Sequence, residues 1–252
     1  MIPLSVVIIT FNEEKNIARC IESVQDIADE IIIVDSFSTD RTKEICEKYN
    51  VKFFQQKWSG YTEQKNYANS LSANDLILSL DADEAISEEL KKSILKLKST
   101  DKQHFVGQVN RLTNYCGKWI FHCGWYPDRK IRLFNRKTAK WTGTIHEKLS
   151  YPDDIEVIQL KGDLEHYSYH TIGEHIKQAD KFTTITALEA FNKGKKSSFI
   201  AITVKPKWKF FRDFILKLGF LDGYYGYVIC KISSFATFLK YTKLRQLKKE
   251  NK

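Results

Sequence analysis

Apolar and polar positions alternate in blocks through the first hundred residues. Four short runs are apolar and rich in β-branched residues, which is typical of strands buried on both faces. They lie at 4–9, 30–35, 51–54 and 75–80. Between them, apolar residues recur every three or four positions, the spacing of a helix with one buried face. The predicted helices span 16–24, 41–49 and 61–72, and another begins at Ser87 with a capping box.

This alternation predicts an α/β fold with a Rossmann-like, doubly wound parallel sheet. In such sheets, ligands bind beyond the carboxyl ends of the strands. Polar clusters follow the first, second and fourth predicted strands, at 10–14, 35–40 and 81–84. We therefore expect the three clusters to meet at one edge of the sheet and to form one ligand site.

The pattern changes after residue 104. Strand-like pieces at 105–112 and 130–134 alternate with aromatic loops, which predicts a small antiparallel or mixed extension that carries the acceptor side. A helix is predicted at 171–193. We expect a catalytic domain at 1–204, with a nucleotide-binding half (1–100) and an acceptor half (101–204), followed by a helical tail at 205–252.

Composition places the chain among ordinary globular proteins. Of its 252 residues, 42% are hydrophobic and 28% are charged, and the 11 Gly and 4 Pro exclude a disordered or collagen-like chain. The five cysteines are odd in number and lack metal-ligand spacing, which favours free thiols in a reducing cytosol. The amino terminus has no basic leader, and no apolar run reaches the roughly 18 residues of a membrane span. We expect a cytoplasmic protein.

The net charge of +9 lies entirely in the tail. Residues 205–252 hold twelve Lys/Arg and three Asp/Glu, so the rest of the chain is neutral. Apolar residues at Phe210, Phe214, Leu218 and Leu221 mark one helical face, and a second face follows. Basic and aromatic residues beside an apolar stripe predict a helix that lies on an anionic membrane, here the inner face of the cell membrane.

The tail has an alternative interpretation. Its apolar faces would then pack on the catalytic domain or on a twin subunit in a homodimer, and its lysines would only be solvated. We expect no nucleic-acid partner, because no recognition module accompanies the charge.

Two carboxylates separated by one small residue follow the fourth predicted strand, at Asp81 and Asp83. Oxygen ligands in this arrangement suit Mg²⁺ or Mn²⁺, whose remaining ligands would be phosphate oxygens. Such a cation stabilises the charge that develops on a leaving diphosphate. The alternative is a solvated acidic turn that caps the next helix.

An acidic residue, Asp35, ends the second predicted strand. An acid at this position typically hydrogen-bonds a ribose or a base, although Asp35 or Asp40 could instead cap a helix. The glycine-rich fingerprints of dinucleotide-binding and P-loop proteins are absent from the sequence.

Three segments carry a family resemblance: VIITFNEE at 7–14, IVDSFSTD at 33–40 and LDADE at 80–84. They resemble family 2 glycosyltransferases of the GT-A fold. YPDRKIRLF at 126–134, WTGTIHE at 141–147 and LDGYYG at 221–226 are similar to the WaaE/KdtX-type lipopolysaccharide core biosynthesis glycosyltransferases of that family.

The resemblance implies roles for individual residues. The nucleotide would be lined by Thr10, Asn12 and Glu14, and Asp35 would hold its base or ribose. Ribose and metal would be held by Asp81 and Asp83. The basic residue near the diphosphate would be Lys65, for which the alternative is an exposed helix lysine.

An inverting transfer needs a base that takes the proton of the acceptor hydroxyl. Many relatives use an acid in a Glu-Asp pair after the paired aspartates, and this sequence has no such pair there. Glu147 is the candidate base and Asp128 its rival. His146 would be a third metal ligand or would orient Glu147. Two arginines of one strand, Arg129 and Arg132, could contact the diphosphate or an anionic acceptor, but residues three apart face opposite ways.

Taken together, these features predict an inverting, metal-dependent glycosyltransferase. It would move a hexose, glucose in the first instance, from a UDP-sugar to a lipopolysaccharide-core or other lipid-linked glycan. Processive synthases of the family carry a Gln-x-x-Arg-Trp motif, which is absent here. The alternatives are a nucleotidyltransferase of similar fold, whose Gly-rich loop is missing from 10–15, and a non-catalytic module that binds nucleotide-sugar.

Overall fold

The computed structural model describes residues 1–100, 102, 104–143 and 147–250. The chain forms two compact units. The first comprises 1–111 and 128–167, and the second comprises 112–127 and 168–252. The domain boundary that we predicted between residues 204 and 205 falls within a helix, α6 (Phe199–Phe211), and the two compact units meet at other positions of the chain.

The first unit begins with four strands that alternate with helices, and one short further strand, β5 (Glu84–Ile86), lies between the fourth strand and the fourth helix. The strands are β1 (Leu4–Thr10), β2 (Glu30–Asp35), β3 (Lys52–Gln55) and β4 (Leu76–Asp81), and the helices are α1 (Ile17–Val24), α2 (Thr42–Cys46), α3 (Tyr61–Ser70) and α4 (Glu88–Lys98). The pairings of β1 with β2, of β1 with β4 and of β2 with β3 are all parallel. Every residue of β1 is buried, because β1 lies inside the sheet and apolar clusters cover both faces of it.

Two details of the predicted helices are wrong. Helix α2 ends at Cys46, and the chain continues to Tyr49 as turns, with hydrogen bonds from Lys48 N–H to Ile45 O and from Tyr49 N–H to Cys46 O. Ser87 does cap α4, because its hydroxyl accepts a hydrogen bond from Leu90 N–H. A capping box needs Glu or Gln at that third helical position, so only half of the motif forms.

The rest of the sheet is mixed, as predicted. Its further strands are β5 (Glu84–Ile86), β6 (Phe105–Tyr115), β7 (Lys118–Ile120), β8 (Asp128–Asn135) and β11 (Glu156–Tyr169). The order is β3-β2-β1-β4-β8-β6-β11-β5, with β7 paired to β6, and β8 is antiparallel to both β4 and β6. Strands β9 (Lys140–Thr142) and β10 (Lys148–Ser150) form a separate hairpin. The predicted α/β fold class is confirmed.

Alternate residues of β1 pack in two different apolar clusters. Ile8 belongs to the cluster that includes α1 and α4, whereas Ile9 belongs to the cluster that includes Ala68 of α3. Successive side chains of a strand point to opposite faces, so each face of the parallel half has its own core. Ala68 is the apolar residue that α3 buries, whereas its other buried residues, Gln64, Lys65 and Asn69, are polar.

The second unit is mainly helical. It contains α5 (Ile172–Asn192), α6, a π-helical segment (Arg212–Leu216), a 3₁₀ turn (Gly219–Asp222) and α7 (Gly223–Glu250). Helix α7 packs against α5 and α6, which confirms the predicted helical tail. None of the helices within the described ranges has both the length and the apolar character needed to cross a membrane. All five cysteines carry free thiols, as we expected from their odd number and their spacing.

The first apolar face that we predicted for the tail is only partly covered. Phe210 and Phe214 pack on a core that contains Ile229 and Cys230 of α7. Leu218 and Leu221, which we placed on the same face, are exposed. The π-helical segment and the 3₁₀ turn interrupt the helical spacing on which that prediction depended.

Candidate active site

The carboxyl ends of three parallel strands bring the predicted polar clusters to one edge. The register pairs Thr10 with Asp35 and Ile9 with Asp81, so the ends of β1, β2 and β4 are level. The hydroxyl of Thr10 is buried and has no hydrogen-bond partner in the described part of the chain. This edge of the sheet is where the sequence predicted a ligand.

Two loops at this edge are joined by hydrogen bonds. Asn12 N–H donates to Ser38 Oγ at 2.8 Å, and Thr39 N–H donates to Asn12 Oδ1 at 2.8 Å. Asn12 has φ of 55°, a left-handed conformation that asparagine tolerates better than most residues. The side chain of Asn12 therefore holds the loop after β2 in place.

A second pair of bonds joins the same loops. Glu14 N–H donates to Asp40 Oδ2 at 3.0 Å, and Arg41 N–H donates to Glu14 Oε2 at 3.1 Å. Asp40 also accepts from Thr42 N–H, at the start of α2. Asp40 thus acts on the helix that follows it, which is the capping alternative that the sequence left open.

Asp35 is completely buried at the end of β2. Its carboxylate accepts from Ser38 N–H at 2.9 Å, from the Ser38 hydroxyl and from Gln55 Nε2 at 3.1 Å. A carboxylate has about four lone-pair sites, so one remains for a further donor.

The centre of the site is Asp81, which contacts two cations. Lys65 Nζ lies 3.1 Å from Asp81 Oδ1, and Arg132 Nη2 lies 2.8 Å from Asp81 Oδ2. Burial tends to raise the pKa of Asp81, but the charges of Lys65 and Arg132 outweigh it and hold the pKa well below its usual range. Asp81 is therefore ionised at neutral pH.

A buried glutamate, which sequence analysis missed, completes this network. Glu84 is 1% exposed, and its Oε1 lies 2.5 Å from Arg132 Nη2, with Arg111 Nη1 at 3.7 Å. Burial disfavours the charge of Arg132, but Glu84 and Asp81 outweigh it and raise the pKa of its guanidinium above the ordinary value. Glu84 is also tied to the backbone, because its Oε2 accepts from Asp81 N–H.

Lys65 is the buried cation of α3. It is 1% exposed, which excludes the alternative of an exposed helix lysine. Its Nζ lies 3.4 Å from Glu147 Oε1 as well as near Asp81, and it lies 4.8 Å from the centre of the Trp141 ring. One ammonium thus joins Asp81 to the predicted base, Glu147.

An imidazole does lie against the second aspartate, but it is not the one that the sequence suggested. His166 Nε2, on β11, is 3.1 Å from Asp83 Oδ2. The antiparallel pairing of β11 with β5 sets this contact, since it places His166 opposite Glu84. The His166 Nδ1 atom is buried without a hydrogen-bond partner in the described part of the chain. The predicted ligand His146 lies outside the described residues.

Another residue that the sequence analysis did not single out, Glu13, lies half-buried in the first loop. Burial raises the pKa of Glu13 to about 7, opposed by a hydrogen bond from Asn16 and assisted by the charge of Asp83. Its position beside the predicted residues Asn12 and Glu14 was visible in the sequence, but its burial was not.

The remaining predicted residues lie on β8. Asp128 accepts from Arg111 Nη2 at 2.6 Å and from Lys130 Nζ at 3.1 Å, so two cations occupy its carboxylate. Arg129 is exposed, whereas Arg132 is 4% exposed and joins the network. The expectation that these two arginines face opposite ways is confirmed.

Comparison with known proteins agrees with this geometry. The family model described as Glycosyl transferase family 2 matches residues 5–155. An uncharacterized glycosyltransferase of Rickettsia typhi is 34% identical over 97% of this chain and 87% of its own length. The lipopolysaccharide core biosynthesis glycosyltransferase LpsC of Rhizobium meliloti is 27% identical over 97% of this chain and 93% of its own.

A solved structure shows a more distant similarity. Glucosyl-3-phosphoglycerate synthase from Mycobacterium tuberculosis, in complex with Mn²⁺, UDP and phosphoglyceric acid, is 20% identical with a TM-score of 0.37. The match covers 45% of this chain and 43% of that one. With a family model over more than half of its length and a relative at 34% identity over nearly all of it, the chain belongs to glycosyltransferase family 2.

Proposed function

We propose that this family 2 glycosyltransferase transfers a hexose, glucose in the first instance, from a UDP-sugar to a lipopolysaccharide-core or other lipid-linked glycan, with inversion. The observation that carries the proposal is the cluster after β4. There, Asp81 meets two cations, Asp83 meets an imidazole, and Lys65 joins Asp81 to Glu147. Similarity to LpsC supports the class of acceptor.

The nucleotide would bind at the ends of β1 and β2. The remaining lone pair of Asp35 suits a ribose hydroxyl or a base N–H. The unpartnered hydroxyl of Thr10 offers another contact. Asn12 and Glu14 would act chiefly by holding the loops that surround the nucleotide, because their side chains accept hydrogen bonds from Thr39 and Arg41.

We propose Asp83 and His166 as protein ligands of a divalent cation. Within the described ranges, no group of three His, Cys, Asp or Glu side chains could hold a metal ion. A carboxylate and an imidazole would leave the remaining positions to water and phosphate oxygens, and this mixed donor set suits Mn²⁺ better than Mg²⁺. When bound, the cation would neutralise charge on the diphosphate. Asp81 adds a further carboxylate beside this pair, and His146 stays a prediction.

Glu147 is the proposed base. Its carboxylate would take the proton of the acceptor hydroxyl as that oxygen forms a bond to the anomeric carbon. The bond between the anomeric carbon and the diphosphate oxygen breaks, and its electron pair stays with the diphosphate. Lys65 holds Glu147 in place and supplies positive charge beside the leaving group. The rival base, Asp128, is already paired with Arg111 and Lys130.

We also propose that the second unit binds the inner face of the cell membrane. From 199 to 222 the chain has five basic and two acidic residues, and one side of α6 and the segment after it exposes large apolar side chains. They are Phe199, Ile200, Val204, Trp208, Phe211, Ile215, Leu216, Leu218, Phe220 and Leu221. An apolar stripe with basic neighbours suits an anionic lipid surface. A second copy of the chain is the alternative occupant.

The test of the enzymatic proposal is calorimetry with UDP, with and without Mn²⁺, on the wild type and on Asp83→Asn. We expect tight binding only with Mn²⁺, and a loss of that metal dependence in the variant. Glu147→Gln should bind UDP normally but transfer hexose at least about 100-fold more slowly, whereas Asp128→Asn should retain most transfer. A wild type that binds no nucleoside diphosphate with any divalent cation would refute the proposal.

The same experiment separates the alternatives. Membership of family 2 and the absence of a Gly-rich loop at 10–15 disfavour a nucleotidyltransferase. A non-catalytic module would bind UDP-glucose with Mn²⁺, yet it would release no UDP in the presence of lipopolysaccharide-core oligosaccharide.

A further inference from the structure

Two exposed aromatic residues stand beside the candidate active site and have no role in the mechanism above. Trp58 lies in the loop between β3 and α3, and Tyr61 is the first residue of α3. Their rings meet edge to face, with centroids 4.7 Å apart. Both are about half exposed, at 45% and 52%. Large aromatic side chains are usually buried, so an exposed pair beside a site is informative.

Helix α3 connects this pair to the charged network. Tyr61 lies one turn before Lys65, and Lys65 Nζ is 6.0 Å from the centre of the Tyr61 ring. The same Nζ is 3.1 Å from Asp81 and 3.4 Å from Glu147. Partial burial and the charges of Asp81 and Glu147 raise the pKa of the Tyr61 hydroxyl, which is consistent with that closeness.

The aromatic pair is attached to a well-anchored part of the fold. Asn66 exchanges two hydrogen bonds with the backbone of Trp141, at 2.9 and 3.1 Å, and the Thr62 hydroxyl donates to Gly143 O. Gly60 has φ of 131°, a conformation that glycine adopts readily and other residues rarely do. Gly60 connects the loop that contains Trp58 to the start of α3. Tyr61 therefore lies on a helix that is held in place before any ligand binds, and its ring contacts that of Trp58. A preorganised surface lowers the entropic cost of binding.

We propose that Trp58 and Tyr61 form a platform for the apolar face of a pyranose ring. The sugar of a nucleotide whose diphosphate contacts Lys65 would lie close to that ammonium. An acceptor sugar whose hydroxyl contacts Glu147 would lie in the same region. Both sources present the same chemistry, a ring with C–H groups on one face and hydroxyls at its rim. Aromatic surfaces with a polar edge suit such amphipathic partners. This inference rests on the proposed function and names the sugar contacts of that site.

The uracil base is a competing ligand for the platform, but the observations favour a sugar. The proposed base and ribose contacts are at Asp35, whose carboxylate is bonded to Ser38 and Gln55. The aromatic pair instead neighbours Lys65, which lies between Asp81 and Glu147. That is where bond cleavage and proton transfer take place in the proposed mechanism.

The test compares Trp58→Ala, Tyr61→Ala and Trp58→Phe with the wild type. Calorimetry with Mn²⁺ would measure the Kd of UDP and of UDP-glucose, and steady-state kinetics would measure the KM for lipopolysaccharide-core oligosaccharide at saturating donor. We expect an unchanged Kd for UDP and about a tenfold increase in the constant for the sugar that stacks, with partial recovery in Trp58→Phe. Phe182→Ala, an equally exposed aromatic of α5, should change nothing.

The two arms identify the source of the sugar. A weaker Kd for UDP-glucose alone assigns the platform to the donor, and a higher KM for the oligosaccharide alone assigns it to the acceptor. Equal losses for UDP and UDP-glucose would show base stacking and overturn the proposal, as would wild-type constants in both alanine variants. A wild type that fails to bind UDP would instead refute the proposed function, and the platform with it.

Discussion

Helices α3 and α6 both depart from the usual distribution of polar and apolar residues, in opposite directions. Of the four residues that α3 buries, three are polar: Gln64, Lys65 and Asn69. Helix α6 instead exposes large apolar residues along one side, including Ile200, Val204 and Trp208. Buried polar groups and exposed apolar patches are the informative exceptions to the general rule of burial.

The two exceptions point to different kinds of function. Two of the three buried polar side chains of α3 have partners within the chain: Lys65 meets Asp81 and Glu147, and Gln64 Nε2 donates to Ser36 Oγ. No described residue covers the exposed side of α6. Buried polar side chains thus mark a site within the fold, whereas exposed apolar side chains mark a surface that binds another molecule.

The strongest challenge to this comparison is to remove the central cation of the buried network. In Arg132→Met, Arg111 at 3.7 Å would be the one cation left beside the buried Glu84 carboxylate among the described residues. An uncompensated buried charge costs about 3–5 kcal/mol, so we expect the free energy of unfolding to fall by that amount. Urea unfolding at neutral pH measures it.

Arg129→Met is the matched control, because it removes the same charge from an exposed position on the same strand. Its effect should stay within about 0.5 kcal/mol. If both variants lost equally little stability, the buried network would not be needed for folding. The contrast between a buried polar network and an exposed apolar surface would then not hold.

The next effect concerns catalysis. Lys65→Met removes the ammonium beside the leaving diphosphate, and the loss of such a charge costs about 2.7–4 kcal/mol of transition-state stabilisation, or roughly 100- to 1,000-fold in kcat. Lys48→Met, at an exposed lysine, should leave kcat unchanged. A Lys65→Met enzyme with wild-type kcat and reduced stability would show that the buried lysine serves folding alone.

Some residues of the site could be predicted from the sequence, and others could not. Paired acids after a buried strand predicted Asp81 and Asp83, and strand alternation predicted that Arg129 and Arg132 would separate, because both patterns are local. Glu84 is adjacent to the predicted acids, but its burial depends on Arg132, 48 residues away.

The role of His166 could not be predicted from the sequence for the same reason. Its contact with Asp83 spans 83 residues and depends on the register of β11 against β5, which local periodicity does not specify. The two compact units follow contacts that are also distant along the chain. Residues 112–127 belong with the C-terminal helices, and a change in composition along the chain does not reveal a long-range insertion of this kind.

A buried histidine in the second unit provides a third case, because its imidazole has no charged partner among the described residues. His175 accepts from or donates to the Tyr115 hydroxyl at 3.0 Å and packs against Trp125, Tyr169 and Tyr115. Burial lowers the pKa of His175 to about 4. As the pH falls, the His175 imidazole is therefore protonated near pH 6.5 in the unfolded chain but only near pH 4 in the folded chain.

The stability that neutral His175 contributes is thus fully present above pH 6.5 and is lost as the pH falls towards 4. The pKa difference corresponds to a loss on the order of 3 kcal/mol over that range. In urea unfolding between pH 7 and pH 4, His175→Gln should lose less stability than the wild type by that amount. His104→Gln, at an exposed histidine, should follow the wild type. Parallel curves for all three proteins would contradict the assignment.

The smallest effect on folding is expected at the exposed side of α6. Val204 and Trp208 are each 54% exposed, so the double variant Val204→Ser/Trp208→Ser should change the free energy of unfolding by less than about 0.5 kcal/mol. Ile229→Ala, in the covered core of the same unit, should cost about 2–5 kcal/mol. A loss of similar size in the double variant would mean that this side is covered within the chain.

The same double variant decides what covers the exposed side of α6. The wild type should sediment with vesicles that contain phosphatidylglycerol and phosphatidylcholine but not with phosphatidylcholine alone, because both the apolar stripe and its basic neighbours contribute. The double variant should stay in the supernatant while its UDP affinity is unchanged. The alternative result is that the wild type binds neither kind of vesicle and sediments as a dimer, whereas the double variant sediments as a monomer. The exposed side of α6 would then be covered by a second copy of the chain, and α6 would mark a subunit interface rather than a membrane surface.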